Sequence, residues 1–81
     1  MDKSLLKQYI LSLNTESGKN VAKNYGVNLT NGETNILLKF LKDNINYLDI
    51  KNKTMLLTKL KKEIPLSLYL KAELLLNKII K

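Results

Sequence analysis

The stretch from Tyr25 to Glu33 constrains the fold most strongly, because it ends one helix and starts the next. Gly26 follows the apolar Tyr25 and can adopt the left-handed backbone conformation that closes a helix. Thr30 and Glu33 have the spacing of a capping box, in which each side chain accepts a hydrogen bond from the other residue's backbone amide. The pattern predicts a joint between two short helices, and it gives these residues structural rather than chemical roles.

Periodicity and capping residues on either side of this joint predict up to five helices. Ser4 or Asp2 can cap a first helix that ends near residue 13, and Asn14 or Thr15 can cap a second. Asn44 is a plausible left-handed stop for the third helix, Asp49 caps the fourth, and Pro65 separates the fourth from the fifth. The predicted ranges for helices two to five are 16–25, 31–43, 50–64 and 66–80.

These helices predict an all-α fold, a compact bundle of four to five short helices that forms one domain over residues 1–81. Apolar residues make up 44% of the chain, which is enough for a core. Helical spacing predicts the following buried positions: Leu5, Leu6, Tyr9, Ile10, Leu13, Val21, Ala22, Tyr25, Ile36, Leu37, Phe40, Leu41, Leu56, Leu57, Leu60, Ile64, Leu68, Ala72, Leu75, Leu76 and Ile79. We expect Gly18 to weaken the second helix.

The last helix carries a second apolar stripe, formed by Leu66, Leu70 and Leu74 at intervals of four residues. It is therefore apolar over more of its circumference than a surface helix requires. Either the C-terminal helix is the central helix of the bundle, or one apolar side is left for another molecule. The need of a small domain for a buried hub favours the central position.

The residues needed for most catalytic and metal sites are missing. The chain has no His and no Cys, which removes the commonest general base, the commonest nucleophiles and nearly all zinc sites. Its seven carboxylates are scattered, with no two at helical i,i+3 or i,i+4 spacing, so neither a carboxylate pair nor a calcium loop is expected. We expect a non-enzymatic protein without cofactor, metal or small-molecule substrate.

The positive charge indicates acidic partners. Net charge is +7, from 14 basic and 7 acidic residues, which favours nucleic acid, anionic lipid or an acidic protein. All the basic residues are lysines, whereas arginine is preferred for phosphate clamps, and the abundance of Asn, Lys and Ile also fits A/T-rich coding bias. Five lysines on the third and fourth helices form a candidate nucleic-acid-binding face: Lys39, Lys42, Lys51, Lys59 and Lys62.

A helix-turn-helix and a membrane anchor are both disfavoured. Residues 21–27 resemble the opening of a DNA-binding helix-turn-helix, but the positions that should pack after the turn are Gly32 and Asn35. The apolar runs are far shorter than the about 20 residues of a membrane span, and Lys7 and Gln8 interrupt any signal-peptide core. Because the chain has no Trp and needs its helices for the core, adhesion to anionic membrane is not expected. We expect a cytoplasmic protein.

Three segments resemble a family of short bacterial proteins. They are residues 23–30, Asn44-Ile45-Asn46, and Leu56-Leu57 followed by residues 59–64. The chain from about Asn14 onward is similar to the YqfT-type proteins of Firmicutes. The resemblance implies a short, helical, bacterial cytoplasmic protein, and it supplies no catalytic residues.

The sequence leaves two binding functions open. The first is a protein-interaction or assembly module that uses the stripe of Leu66, Leu70 and Leu74, with a homodimer as one form. The alternative is binding of RNA or DNA through the lysine face.

Overall fold

The structure is a computed structural model that describes residues 3–80 of the 81-residue chain. Over this range it contains five α-helices and no strand, which confirms the all-α prediction. The helices are α1 (Lys3–Ser12), α2 (Thr15–Asn24), α3 (Asn31–Asp43), α4 (Lys53–Glu63) and α5 (Leu66–Ile79). They pack into a body of 27 × 25 × 21 Å. The predicted bounds of α3 and the start of α5 are confirmed.

The joint between α2 and α3 has the predicted geometry. Gly26 has a φ of +82°, and the Val27 amide donates a hydrogen bond of 2.9 Å back to the Ala22 carbonyl. The Glu33 amide donates to Thr30 Oγ1 at 3.1 Å, and the Thr30 amide donates to Glu33 Oε1 at 3.0 Å. These bonds satisfy polar groups that a helix end leaves without partners, so α2 stops and α3 starts where the sequence indicates.

Asn14 caps α2 as predicted, with Ser17 as the other half of a second capping box. The Ser17 amide donates to Asn14 Oδ1, and the Asn14 amide donates to Ser17 Oγ, both at 2.9 Å. Of the two predicted caps of α1, Ser4 is not a cap, because it lies inside the helix, and Asp2 lies outside the described residues. The caps of α2 and α3 together define the turns on both sides of α2.

The prediction that Asn44 ends α3 in the left-handed conformation is wrong. Its φ is −112°, and no residue other than glycine between residues 3 and 80 has a positive φ. Instead, Asn44 is buried and its Nδ2 donates a hydrogen bond of 2.8 Å to the Phe40 carbonyl. The Asn44 backbone amide donates 3.1 Å to the same carbonyl, so Asn44 closes the last turn of α3 without a left-handed residue.

The segment between α3 and α4 contains two short 3-10 turns. These are Ile45–Tyr47 and Ile50–Asn52, with the buried Leu48 between them. Asp49 Oδ1 accepts a hydrogen bond of 2.9 Å from the Asn52 amide, which confirms Asp49 as a cap. It caps the 3-10 turn that leads directly into α4, so the fourth helix begins three residues later than predicted.

The core contains the middle of each predicted apolar arc and also five residues that the pattern did not predict: Val27, Leu38, Leu48, Tyr69 and Ile80. Its buried apolar side chains are Leu6, Ile10, Leu13, Ala22, Val27, Leu37, Leu38, Phe40, Leu48, Leu56, Leu60, Leu68, Tyr69, Ala72, Leu75, Leu76 and Ile80. Four predicted core residues are exposed instead: Leu5, Tyr9, Tyr25 and Ile36. Leu5, Tyr9 and Ile36 lie towards one margin of their arcs, because a helix at the surface of a small bundle buries only part of its apolar face. Tyr25 follows the last residue of α2, where the chain leaves the helix.

Gly18 is buried and allows α2 to approach α3 closely. A β-carbon at this position would lie 3.0 Å from Thr34 Cγ2 and 3.1 Å from Leu38 Cδ1. Thr34 is also buried, and its hydroxyl donates 2.8 Å to the Thr30 carbonyl, so it carries no unsatisfied donor into the contact. The intrinsic cost of glycine in a helix is therefore accompanied by a packing role that sequence alone did not show.

Helix α5 contributes more buried residues than any other helix, but it is not enclosed. Leu68, Tyr69, Ala72, Leu75 and Leu76 are buried along one side. The expectation that a central position would bury α5 all round is wrong, because Leu66, Leu70 and Leu74 are exposed. With only five short helices in the described bundle, too few neighbours are present to surround one of them.

Candidate interaction surface

The three leucines of the second stripe form a continuous exposed row on α5, which we call the outer leucine strip (Leu66, Leu70 and Leu74). Their exposed fractions are 63%, 51% and 55%. At 100° per residue, the three lie within about 80° of one another and opposite the buried arc of α5. The strip is therefore an apolar surface that this fold leaves open to solvent.

One edge of the strip is bordered by a polar contact between α4 and α5. Lys61 Nζ lies 5.8 Å from the centroid of the Tyr69 ring, and the Tyr69 hydroxyl donates 3.2 Å to Glu73 Oε2. Burial and this bond to the carboxylate raise the pKa of Tyr69. The cation above the ring and the bond from its hydroxyl fix the orientation of Tyr69.

The other edge is bordered by an ion pair between α3 and α5. Lys71 Nζ lies 3.3 Å from Glu33 Oε1, the carboxylate of the α3 capping box. The backbone amide of Thr30, followed by Lys71, lowers the pKa of Glu33 against the opposing effect of its partial burial. One carboxylate thus starts α3 and also holds α5 beside it.

Between these edges the outer face of α5 carries the three leucines, and the exposed Lys78 continues their row one turn beyond Leu74. Helical spacing places Ser67 and Asn77 beside the leucines, and both are exposed. An apolar row framed by polar residues is typical of surfaces that bind another molecule. The strip can bury leucine side chains against a partner, but it offers no group for acid-base, nucleophilic or metal chemistry.

The structure does not bring the five candidate lysines together as a free basic face. Three of them hold polar groups within the fold: Lys39 Nζ pairs with Asp43 at 2.9 Å, Lys42 Nζ donates 2.6 Å to the Leu13 carbonyl, and Lys59 Nζ donates 3.1 Å to Asn44 Oδ1. Hydrogen bonding to Asp43 and the charge of the same carboxylate raise the pKa of Lys39. Lys51 and Lys62 are exposed, and within the described chain neither forms an ion pair or hydrogen bond.

A groove of about 280 Å³ lies between the C-terminal halves of α3 and α4. Lys39 and Lys59 line it, but so do Asp43 and Glu63. The two carboxylates offset the two ammonium groups, so the groove does not present the positive field that attracts a phosphate backbone.

The described interior likewise offers no cluster of polar side chains for catalysis or metal binding. A cavity of about 50 Å³ lies among the core side chains, and Thr34 is the only lining residue with a polar side chain. Among residues 3–80, no group of three or more acidic, His or Cys residues could hold a metal ion. In the same range, no helix has the length and apolar character required to cross a bilayer.

Sequence reasoning identified the strip but missed the residues that frame it. Tyr69 and Glu73 stand four residues apart on one helix, a spacing at which side chains meet, so this contact was accessible from the sequence. Lys71 and Glu33 are separated by 38 residues, and Lys61 belongs to another helix than Tyr69. No local pattern indicates such pairs, because they depend on how the helices pack.

Comparison of the chain with models of protein families, with curated proteins and with solved structures gives no match. The resemblance to the YqfT-type proteins therefore stays a prediction.

Proposed function

We propose that this protein is a non-enzymatic protein-interaction module that binds its partner through the outer leucine strip of α5. The observation that carries the proposal is the exposure of Leu66, Leu70 and Leu74 on the side of α5 opposite the core. Each leucine is at least half exposed, although the same helix buries five other residues. Burying such a row against a partner is favourable by about 25 cal/mol for each Å² removed from water.

The surroundings of the strip support the same proposal. The contacts of Tyr69 with Lys61 and of Lys71 with Glu33 hold α5 on both sides. A helix fixed in this way loses little conformational freedom when a partner binds, which lowers the entropic cost of association. The strip is therefore a preorganised surface rather than a segment that must fold on binding.

Binding of RNA or DNA by the lysine face is the second candidate, and the net charge of +7 favours it. Its support is weaker, because Lys39, Lys42 and Lys59 each hold a polar group of the fold. Only Lys51 and Lys62 of the proposed five remain for phosphates without loss of such a contact.

The test is affinity capture with tagged full-length chain from lysate of the source cells, with and without nuclease. We expect one or more proteins, an untagged copy of the chain included, to bind the unmodified chain but not Leu70→Asp. Leu11→Asp is the matched control, since Leu11 is 49% exposed on α1 and stands outside the strip. Circular dichroism of each variant verifies that the helices remain folded.

The two candidates give opposite results in this experiment. Capture that is insensitive to nuclease and lost only in Leu70→Asp supports the interaction module. Equal capture by Leu70→Asp overturns it. Loss of all partners on nuclease treatment, together with loss in the double variant Lys51→Glu, Lys62→Glu, assigns the protein to nucleic-acid binding instead.

A further inference from the structure

We propose that Asn31 is a site of spontaneous deamidation, at which its side-chain amide leaves as ammonia and the chain gains a carboxylate at the start of α3. The reaction consumes water and needs no enzyme. It does not involve the outer leucine strip, so the proposal goes beyond the proposed function. The site lies between Thr30 and Glu33, the two residues of the α3 capping box.

The residue after Asn31 makes the reaction chemically accessible. The backbone nitrogen of Gly32 attacks Cγ of Asn31 and closes a succinimide ring. The bond from Cγ to Nδ2 breaks, and Nδ2 leaves as ammonia with the proton of the Gly32 amide. Water then opens the ring at either carbonyl, which leaves aspartate or isoaspartate at position 31. Glycine shields its nitrogen least because it has no β-carbon, and Asn31 is the only asparagine in the sequence that precedes a glycine.

The surroundings leave the reacting groups open to water. Asn31 and Gly32 are exposed, and a β-carbon at Gly32 would meet nothing within 4 Å. They are the first two residues of α3, so their backbone amides have no carbonyl one turn earlier in the helix to bind. Within residues 3–80, no group accepts a hydrogen bond from the Gly32 amide. The fold therefore does not occupy the nitrogen that attacks.

The capping box sets the rate, because the ring cannot close while Asn31 is helical. A helical ψ turns the Gly32 nitrogen away from the Asn31 side chain, so the first turn of α3 must open. The bonds between Thr30 and Glu33, at 3.0 and 3.1 Å, hold this turn closed, as do the Thr34 amide and hydroxyl, which donate to the Thr30 carbonyl at 2.9 and 2.8 Å. Opening one terminal turn costs less than unfolding the whole chain. The folded protein therefore reacts, but more slowly than the unfolded chain.

The product changes the joint between α2 and α3. Aspartate at position 31 places a negative charge at the positive end of the α3 dipole and lowers the net charge of +7 by one. Isoaspartate continues the main chain through the former side chain and adds a carbon atom between Thr30 and Glu33. The two halves of the capping box then lose the spacing that their hydrogen bonds require. Because Glu33 also lies 3.3 Å from Lys71, this product weakens the contact of α3 with α5.

Incubation of the full-length protein at neutral pH and physiological temperature, followed by peptide mass spectrometry, tests the proposal. We expect Asn31 to be deamidated, with electron-transfer fragmentation distinguishing isoaspartate from aspartate. Asn28 is the internal control, since it is exposed in the same joint but precedes Leu29, and it should stay intact. Gly32→Ala should slow the reaction many-fold without disturbing α3, because its β-carbon meets nothing.

Variants of Thr30 test the role of the capping box. Thr30→Ala removes the acceptor of the Glu33 amide and should accelerate deamidation about fivefold, the change in population that a cap of ordinary strength produces. Thr30→Ser retains a hydroxyl and should react at nearly the rate of the unmodified chain. Circular dichroism verifies that both variants remain folded.

An intact Asn31 in the folded chain, after a time in which the urea-unfolded chain is fully converted, overturns the proposal. Deamidation of Asn28 at the same rate overturns it as well, since exposure rather than the following glycine would then decide. Equal rates in Thr30→Ala and Thr30→Ser overturn the control by the capping box. None of these results affects the test of the strip, which depends on Leu70→Asp.

Discussion

The joint between α2 and α3 and the outer face of α5 place opposite demands on their residues. In the joint, Gly26, Thr30 and Glu33 each have a contact or a backbone conformation that the fold requires. On the outer face, the leucines have no such role within the described bundle, since they are exposed on a helix whose other side fills the core. The difference separates residues that fold this chain from residues that the fold leaves for another molecule.

The largest expected difference is between substitutions on the buried side and on the exposed side of α5, measured as the free energy of unfolding. Replacing the buried Leu76 with Ala removes core packing and should lower the free energy of unfolding by about 2–5 kcal/mol. Leu70→Ala should change it by less than about 0.5 kcal/mol, because the side chain is exposed and Ala favours helix as well as Leu does. Urea unfolding of dilute protein, below the range in which it could associate, measures both. A large decrease in the free energy of unfolding of Leu70→Ala would mean that the strip stabilises the fold, and would contradict the difference drawn between the two sides of α5.

Substitution of Gly18, where α2 approaches α3 closely, should have the next largest effect on the free energy of unfolding. Gly18→Val introduces a branched side chain where even a β-carbon would meet Thr34 and Leu38 at 3.0–3.1 Å. We expect a loss of about 1–3 kcal/mol in the free energy of unfolding, as for overpacked cores. Gly32→Val is the control at the start of α3, because a β-carbon at Gly32 meets nothing within 4 Å. Since Val has a higher helix propensity than Gly, propensity alone predicts no loss in either variant, and an unchanged stability of Gly18→Val would mean that the close approach carries no cost.

The capping box of α3 should have a smaller effect. Thr30→Ala removes the acceptor of the Glu33 amide and should cost about 1 kcal/mol, whereas Thr30→Ser should retain most of the stability. Thermal unfolding followed by circular dichroism provides the comparison. If Thr30→Ala were neutral, the joint would depend on Gly26 and on packing alone.

The smallest expected effect is the contribution of Glu33 to the pH dependence of the free energy of unfolding. The Thr30 amide and Lys71 lower the pKa of Glu33 in the folded chain below its unfolded value of about 4.3. The resulting stability is present above the unfolded pKa and is lost as the pH falls through the lower, folded pKa. Glu33→Gln keeps a side chain suited to the capping box but cannot ionise. We therefore expect its stability to fall less steeply below about pH 4.3 than that of the unmodified chain. Parallel acid dependence in urea unfolding of the two proteins would contradict this assignment.

Local signals predicted those parts of the fold that depend on neighbours in sequence. The bounds of α3, the left-handed Gly26, the Thr30–Glu33 box and the break at Pro65 follow from residues at most a few positions apart. The errors arise where a distant segment decides the outcome. Asn44 is an example, because its Oδ1 accepts a hydrogen bond from Lys59 and its Nδ2 binds the Phe40 carbonyl.

The candidate surface shows the same division. The stripe of Leu66, Leu70 and Leu74 was visible as a periodicity of four, but its exposure was not, since periodicity cannot say how many helices surround α5. The lysine face was also drawn from spacing alone. Packing turned Lys42 towards the Leu13 carbonyl and Lys59 towards Asn44, contacts over 29 and 15 residues that no helical wheel displays.

The bond from Lys42 to Leu13 has a consequence for the beginning of the chain. A cation supplied by α3 binds a carbonyl just beyond the end of α1, where the negative end of the helix dipole lies. Dissolved ions weaken an attraction of this kind when it is partly open to water. Raising the salt concentration should therefore weaken this one bond by less than about 1 kcal/mol, while the burial of Leu6, Ile10 and Leu13 keeps α1 on the core.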